Sequence, residues 1–162
     1  MVAHARVFET SGIVRVTSFI GFLNKVHRGG IPWDDAGGDS LRDWPGLDRL
    51  TFFDDAKGTI LPTGSCYPGA RNKGGDNPPR PERAPKWHER LLNHLPDRQL
   101  TLLVGQYAHR YYLKKGRKTS TTEAVRAFSQ YRPQFFPLPH PSWRSLIWVQ
   151  KIRGSRRRSF LI

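Results

Sequence analysis

The sequence predicts a small three-layer α/β domain built on a mostly parallel sheet. Two observations carry this reading. Short apolar runs rich in β-branched and aromatic residues recur along the chain and read as strands. Segments of helical period lie between them, and strands that alternate with helices are the pattern of a parallel sheet joined by crossovers. The length of 162 residues fits one domain with a core large enough to stand alone.

The first strand is expected within Ile13 to Leu23, where Ile13, Val14, Val16, Thr17, Phe19 and Ile20 cluster. The glycine-rich stretch from Gly29 to Gly38 reads as a loop. Asp39 or Ser40 is expected to cap a short helix over Leu41, Arg42 and Trp44, ended by Pro45-Gly46. Thr59-Ile60-Leu61-Pro62 reads as a second strand, followed by a long glycine- and proline-rich loop from Ala70 to Arg83. That loop carries Arg71, Lys73, Arg80 and Arg83, and loops of this length are functional or disordered.

Pro85 suits a helix start, and Trp87, Leu91, Leu92 and Leu95 follow at helical spacing. Leu100 to Gly105 is a short buried strand closed by glycine. Gln106 to Leu113 reads as a helix with Tyr107, Tyr111 and Tyr112 as core aromatics. Thr121 or Thr122 is expected to cap a helix from Glu123 to Tyr131, with Ala124, Val125 and Phe128 inward. A last helix starts near Ser142. The histidines His27, His88, His94 and His109 read as surface residues; His88 and His94 lie six apart, off any shared helical face.

Charge and cysteine content narrow the function. A net charge of +14 favours a polyanionic partner, with nucleic acid ahead of an anionic membrane because no long basic amphipathic helix is evident. A single cysteine, Cys66, excludes a disulfide within the chain and a cysteine-built zinc or iron–sulfur site. No secretory signal and no long apolar run stand in the sequence, so a soluble cytoplasmic protein is expected. Neither a Gly-x-Ser-x-Gly elbow nor a phosphate-cradling Gly-x-x-x-x-Gly-Lys loop is present.

The stretch with the most chemistry is Phe136-Pro137-Leu138-Pro139-His140-Pro141-Ser142. An apolar run stops in a turn where prolines flank one histidine and fix its backbone. Open α/β sheets place ligand sites at such strand ends. A rigid imidazole there can donate a fixed hydrogen bond to developing negative charge. The alternative is an ordinary proline-rich surface turn.

Four segments, in order, resemble the uracil-DNA glycosylase superfamily, in its small bacterial glycosylase-like branch. They are Cys66-Tyr67-Pro68-Gly69, the loop Gly75 to Glu82, Leu102 to Ala108, and Pro139-His140-Pro141-Ser142. The resemblance covers roughly residues 25 to 150 and implies a four-stranded parallel αβα sandwich that hydrolyses the N-glycosidic bond of uracil flipped out of DNA. It implies that His140 stabilises charge on the leaving uracil and that Ser142 sits near a phosphate. Gly21, Cys66 and Tyr67 fall in the implied substrate pocket, and Trp33 is the implied platform for the flipped base. Trp143 and Arg144 match residues that wedge into DNA, and the loop carrying Arg71, Lys73 and Arg80 is implied to contact it. The implied partner is uracil-containing DNA, bound by a monomer, with no membrane and no cofactor or metal.

The sequence departs from the family pattern in several places. The turn that positions the attacking water, Gly-x-x-Pro-Gly-like in the family, is replaced by Ile20-Gly21-Phe22-Leu23-Asn24-Lys25. Asn24 is the candidate to bind a water instead, and Asp34 and Asp35 are another possible base. Arg83 stands where cluster-bearing relatives have a cysteine, and Pro62 where some relatives read uracil with asparagine. Residues 1–24 match poorly within a single domain of residues 1–150. The tail of residues 151–162 is basic and is expected to be a flexible arm. Two readings follow: an active glycosylase on uracil or another deaminated base, or a catalytically degenerate relative that binds nucleic acid.

Overall fold

The computed structural model describes residues 16–21 (backbone), 31, 33–44, 46–54, 58–64, 68–72, 75–95, 99–113, 120–142, 145 and 147. In chain order the elements are β1 (Val16–Gly21), α1 (Ala36–Asp43), α2 (Arg49–Phe52), β2 (Ile60–Pro62), α3 (Arg83–Leu92), β3 (Leu100–Val104), α4 (Gln106–Tyr112), α5 (Thr121–Arg126), a 3₁₀ turn (Phe128–Gln130) and β4 (Phe135–Leu138). The fold is mixed α/β with a parallel sheet. Every described strand pair is parallel, in the order β2-β1-β3-β4.

Period-two alternation divides the core between the two faces of this sheet. Leu102 and Val104 of β3 and Phe136 and Leu138 of β4 pack with Trp33, Leu41 and Phe52 on one face. Leu103 and Leu61 pack with Leu92 and Ala108 on the other. Helices α1 and α2 therefore cover one face, and α3 and α4 the other. The chain leaves β1 for β2 on one side and returns to β3 on the opposite side. The point where the order reverses, between β1 and β3, is where open α/β sheets hold ligands.

Several elements differ from expectation. Helix α1 starts inside the predicted glycine loop and is capped by Asp35, not by Asp39 or Ser40: the Gly38 amide donates to Asp35 Oδ1 at 2.9 Å. A short helix, α2, follows where none was predicted; Asp48 caps it by accepting from the Thr51 amide. Helix α5 is capped by Ser120 in a reciprocal capping box with Glu123, one residue ahead of Thr121. It ends at Arg126 and tightens into the 3₁₀ turn, rather than running on to Tyr131.

Helix α3 is rotated relative to the prediction. Its buried residues are Ala84, His88 and Leu92, whereas Trp87 and Leu91 are exposed. His88 and His109 are likewise buried, at 2% and 4% exposure, so neither is a surface residue. His88 is accepted in the interior because both ring nitrogens find partners, and His109 through Nε2 alone, its Nδ1 having no partner among the described residues.

Candidate active site

The carboxyl ends of the four strands form one edge. Gly21 ends β1 opposite Pro62 of β2, and Val104 of β3 lies opposite Leu138 of β4. His140 follows β4 by two residues. Pro137, Pro139 and Pro141 are all buried, so the turn is packed into the domain and is not a proline-rich surface turn. The Ser142 amide donates to the His140 carbonyl at 2.8 Å and tightens it.

Gly105 holds the turn from the β3 side. Its amide donates to the Leu138 carbonyl at 2.9 Å, joining the ends of β3 and β4. Its φ is +82°, and a Cβ at this position would lie 3.2 Å from the His140 Cβ. Both facts call for glycine here. The close approach brings His140 toward the β3 end of the reversal point.

Trp33 completes the corner. Its ring centroid lies 5.5 Å from that of His140, tilted by 51°. The residue is 7% exposed and has a φ of 62°, a conformation bulky side chains adopt only when their surroundings force it. Two groups supply that force. Arg42 Nη1 donates to the Trp33 carbonyl at 3.0 Å, and Gly38 lies so close that a Cβ would sit 1.6 Å from that oxygen. Arg42 is itself buried; it pairs with Asp39 and lies over the rings of Phe52 and Phe53 at 5.4 and 5.5 Å. Trp33 Nε1 is buried and has no hydrogen-bond partner among the described residues.

The two aspartates beside Trp33 are engaged in structure. Asp34 accepts from Arg49 Nη2 at 2.8 Å and Nε at 3.2 Å, and Asp35 caps α1. Helix α1 meets the His140 turn here: a Cβ on Gly37 would lie 3.1 Å from the Pro141 carbonyl.

Other candidates are placed as follows. The Ser142 hydroxyl hydrogen-bonds that of Ser145 at 3.2 Å. Arg71 and Arg80 are exposed on the loop after β2. That loop is more ordered than its composition suggested: Ala70 and Asp76 form an antiparallel bridge, and Asn77 donates from its amide to Gly69 and from Nδ2 to Pro68. Asn24, Cys66, Tyr67, Lys73, Trp143 and Arg144 lie outside the described residues. Among the described residues no group of three or more His, Cys, Asp or Glu side chains is arranged to hold a metal. No described helix is long and apolar enough to cross a membrane. An open cleft of ≈ 500 Å³ lined by Ile31, Arg49, Phe53 and Thr59 lies toward the start of β2, away from His140.

Residues 19–159 match the family model of the uracil DNA glycosylase superfamily. The chain belongs to this superfamily. The match takes in Gly21, Asn24 and most of the basic C-terminal segment, and so extends beyond the stretch of resemblance read from the sequence. In this glycosylase-superfamily domain, Arg42, Gly38 and Gly105 are positioning residues that sequence reasoning did not single out. The signals were a Gly-Gly pair in the first turn of an amphipathic helix and a glycine closing the strongest strand.

A second corner at the same edge is built differently. His88 Nε2–H donates to the Pro62 carbonyl at 2.9 Å, and Nδ1 accepts from the Tyr112 hydroxyl at 2.6 Å. Burial holds the imidazole below its ordinary pKa, against the pull of the Pro62 carbonyl. His109 is held down by burial in the same way, with Nε2–H donating to the Leu103 carbonyl at 2.9 Å.

Proposed function

We propose that this protein is a DNA glycosylase that hydrolyses the N-glycosidic bond of uracil, or a related deaminated base, in DNA. The observation that carries the reading is the pairing of the Trp33 ring with the His140 ring at the carboxyl edge of a parallel sheet. Base-excising enzymes need an aromatic or apolar surface to receive the extruded base, and flipping it costs a few kcal/mol. Breaking the bond builds positive charge on the sugar and negative charge on the base. A fixed imidazole N–H beside that base stabilises the second charge, worth about 3–4 kcal/mol by analogy with a lost oxyanion-hole donor. Exposed Arg71 and Arg80 supply positive charge for the DNA backbone.

A second reading has support of its own. Asp34 and Asp35 are committed to Arg49 and to the α1 cap, so neither is poised to activate water. This favours a relative that binds nucleic acid and has lost cleavage, unless Asn24 holds the water. Incubating a labelled uracil-containing oligonucleotide with the protein separates the two. Alkali-labile sites, strongly reduced by His140→Ala, support excision. Salt-dependent binding without product supports the degenerate relative.

A further inference from the structure

Helix α3 carries a surface that its packing does not use. Trp87 and Leu91 stand outside at 38% and 43% exposure, leaving apolar area in water. Lys86 Nζ lies 5.5 Å and Arg90 Cζ 5.6 Å from the Trp87 ring. The helix carries Arg83, Lys86 and Arg90 against Glu89, in a chain of net charge +14. Positions 86, 87, 90 and 91 fall on one helical face.

The position of this face suits a ligand that reaches His140. His88, next to Trp87, donates to Pro62 at the carboxyl end of β2. That is the same sheet edge as His140: the ends of β2 and β4 lie three strand spacings, about 14 Å, apart in the order β2-β1-β3-β4, and Trp87 stands further out, on the solvent side of α3. A strand of a few nucleotides spans that distance.

We propose that the Lys86–Trp87–Arg90 face of α3 is a second contact for single-stranded DNA, flanking the nucleotide held at His140. This rests on the DNA-directed reading above. Lys86 and Arg90 neutralise phosphates, and Trp87 stacks on an unpaired base. Both cations hang on flexible stems, so a phosphate draws them off the ring and frees the indole. An aromatic ring among cations is how single-strand surfaces bind any sequence, because every base offers a π-face. A duplex, whose bases already stack on one another, gains only the phosphate contacts.

The test is binding of a labelled single-stranded 20-mer containing uracil, a duplex of the same length, and a trinucleotide that fills only the His140 corner. Wild type is compared with Trp87→Ala, Trp87→Phe and Lys86→Ala/Arg90→Ala, each checked for an unchanged melting temperature. Trp87→Ala weakens single-strand binding about 5- to 100-fold; Trp87→Phe recovers most of it. The double variant lowers the slope of log affinity against log salt by about 1.4. Trinucleotide binding is unchanged, and duplex binding is insensitive to Trp87. Wild-type affinity and slope in all variants overturn the surface while leaving the DNA reading intact. A loss in Trp87→Ala that appears only as a broken dimer assigns the face to a second copy and overturns the proposal. A wild type that binds no probe overturns both.

Discussion

His140 and His88 stand at one edge of one sheet and are fixed in opposite ways. The fold consumes both nitrogens of His88, one on Tyr112 and one on Pro62, and stacks the ring between helices. Around His140 the constraints include the chain itself, with buried prolines on both sides, Gly105 against its Cβ, and Trp33 beside its ring. The first arrangement spends a histidine on tying α3 and α4 to β2. The second makes the imidazole rigid through its backbone and places it half-buried beside an aromatic surface.

The comparison breaks most sharply at His140. His140→Ala is expected to lower the single-turnover rate of uracil release by about 10²- to 10³-fold. Its melting temperature should barely move, because the side chain is only half-buried. His88→Ala is expected to do the reverse. It removes the imidazole that the Tyr112 hydroxyl and the Pro62 carbonyl bond to and opens a cavity, costing about 3 kcal/mol. For a domain of this size that is roughly a 6–12 °C fall in melting temperature, read by circular dichroism.

Gly105→Ala joins the two behaviours, because the residue is both a backbone constraint and the floor under His140. The positive φ costs about 1–2 kcal/mol. A displaced His140 should lower excision by between about 10- and 100-fold. Arg42→Met is milder. It leaves the Trp33 carbonyl without its buried donor, for about 1–3 kcal/mol. Its signature is a weaker grip on the base, seen as a raised KM with a smaller change in kcat.

The smallest effect is on pH dependence. Burial holds His88 and His109 below the ordinary 6.5 in the folded protein. Above about 6.5 both states are neutral at these positions and stability is complete. As pH falls below that value the unfolded chain takes up protons that the folded one refuses, so stability declines toward the lowered folded pKa. Thermal melts from pH 7.5 to 5 should fall, and His88→Phe should flatten part of that fall.

The sequence made the sheet and the His140 turn legible, and it hid what surrounds them. Strand β3 and the Phe135–Leu138 run were readable because a parallel strand buried on both faces is a continuous apolar run. The turn was readable because prolines act locally. Helix α3 was misread because Trp87 and Leu91 are the more apolar residues, while His88 goes inward only by finding Tyr112 and Pro62, which lie 24 and 26 residues away. Helix α1 was hidden by Gly37-Gly38, glycines required by a carbonyl and a turn that no local pattern announces. Arg42 was unreadable as a clamp on Trp33, because burying a guanidinium depends on Asp39 and two phenylalanine rings meeting it. The pairing of Trp33 with the His140 turn was suggested only by the family resemblance, since 107 positions separate them.

The most direct test of the central claim is the single-turnover release of uracil by His140→Ala and His88→Ala, measured side by side well below both melting temperatures. The account predicts that His140→Ala is slowed by about 10²-fold or more. His88→Ala, although less stable, should release uracil at close to the wild-type rate. Equal rates in His140→Ala and the wild type, or a larger loss in His88→Ala, would contradict the assignment of the chemistry to the Trp33–His140 corner.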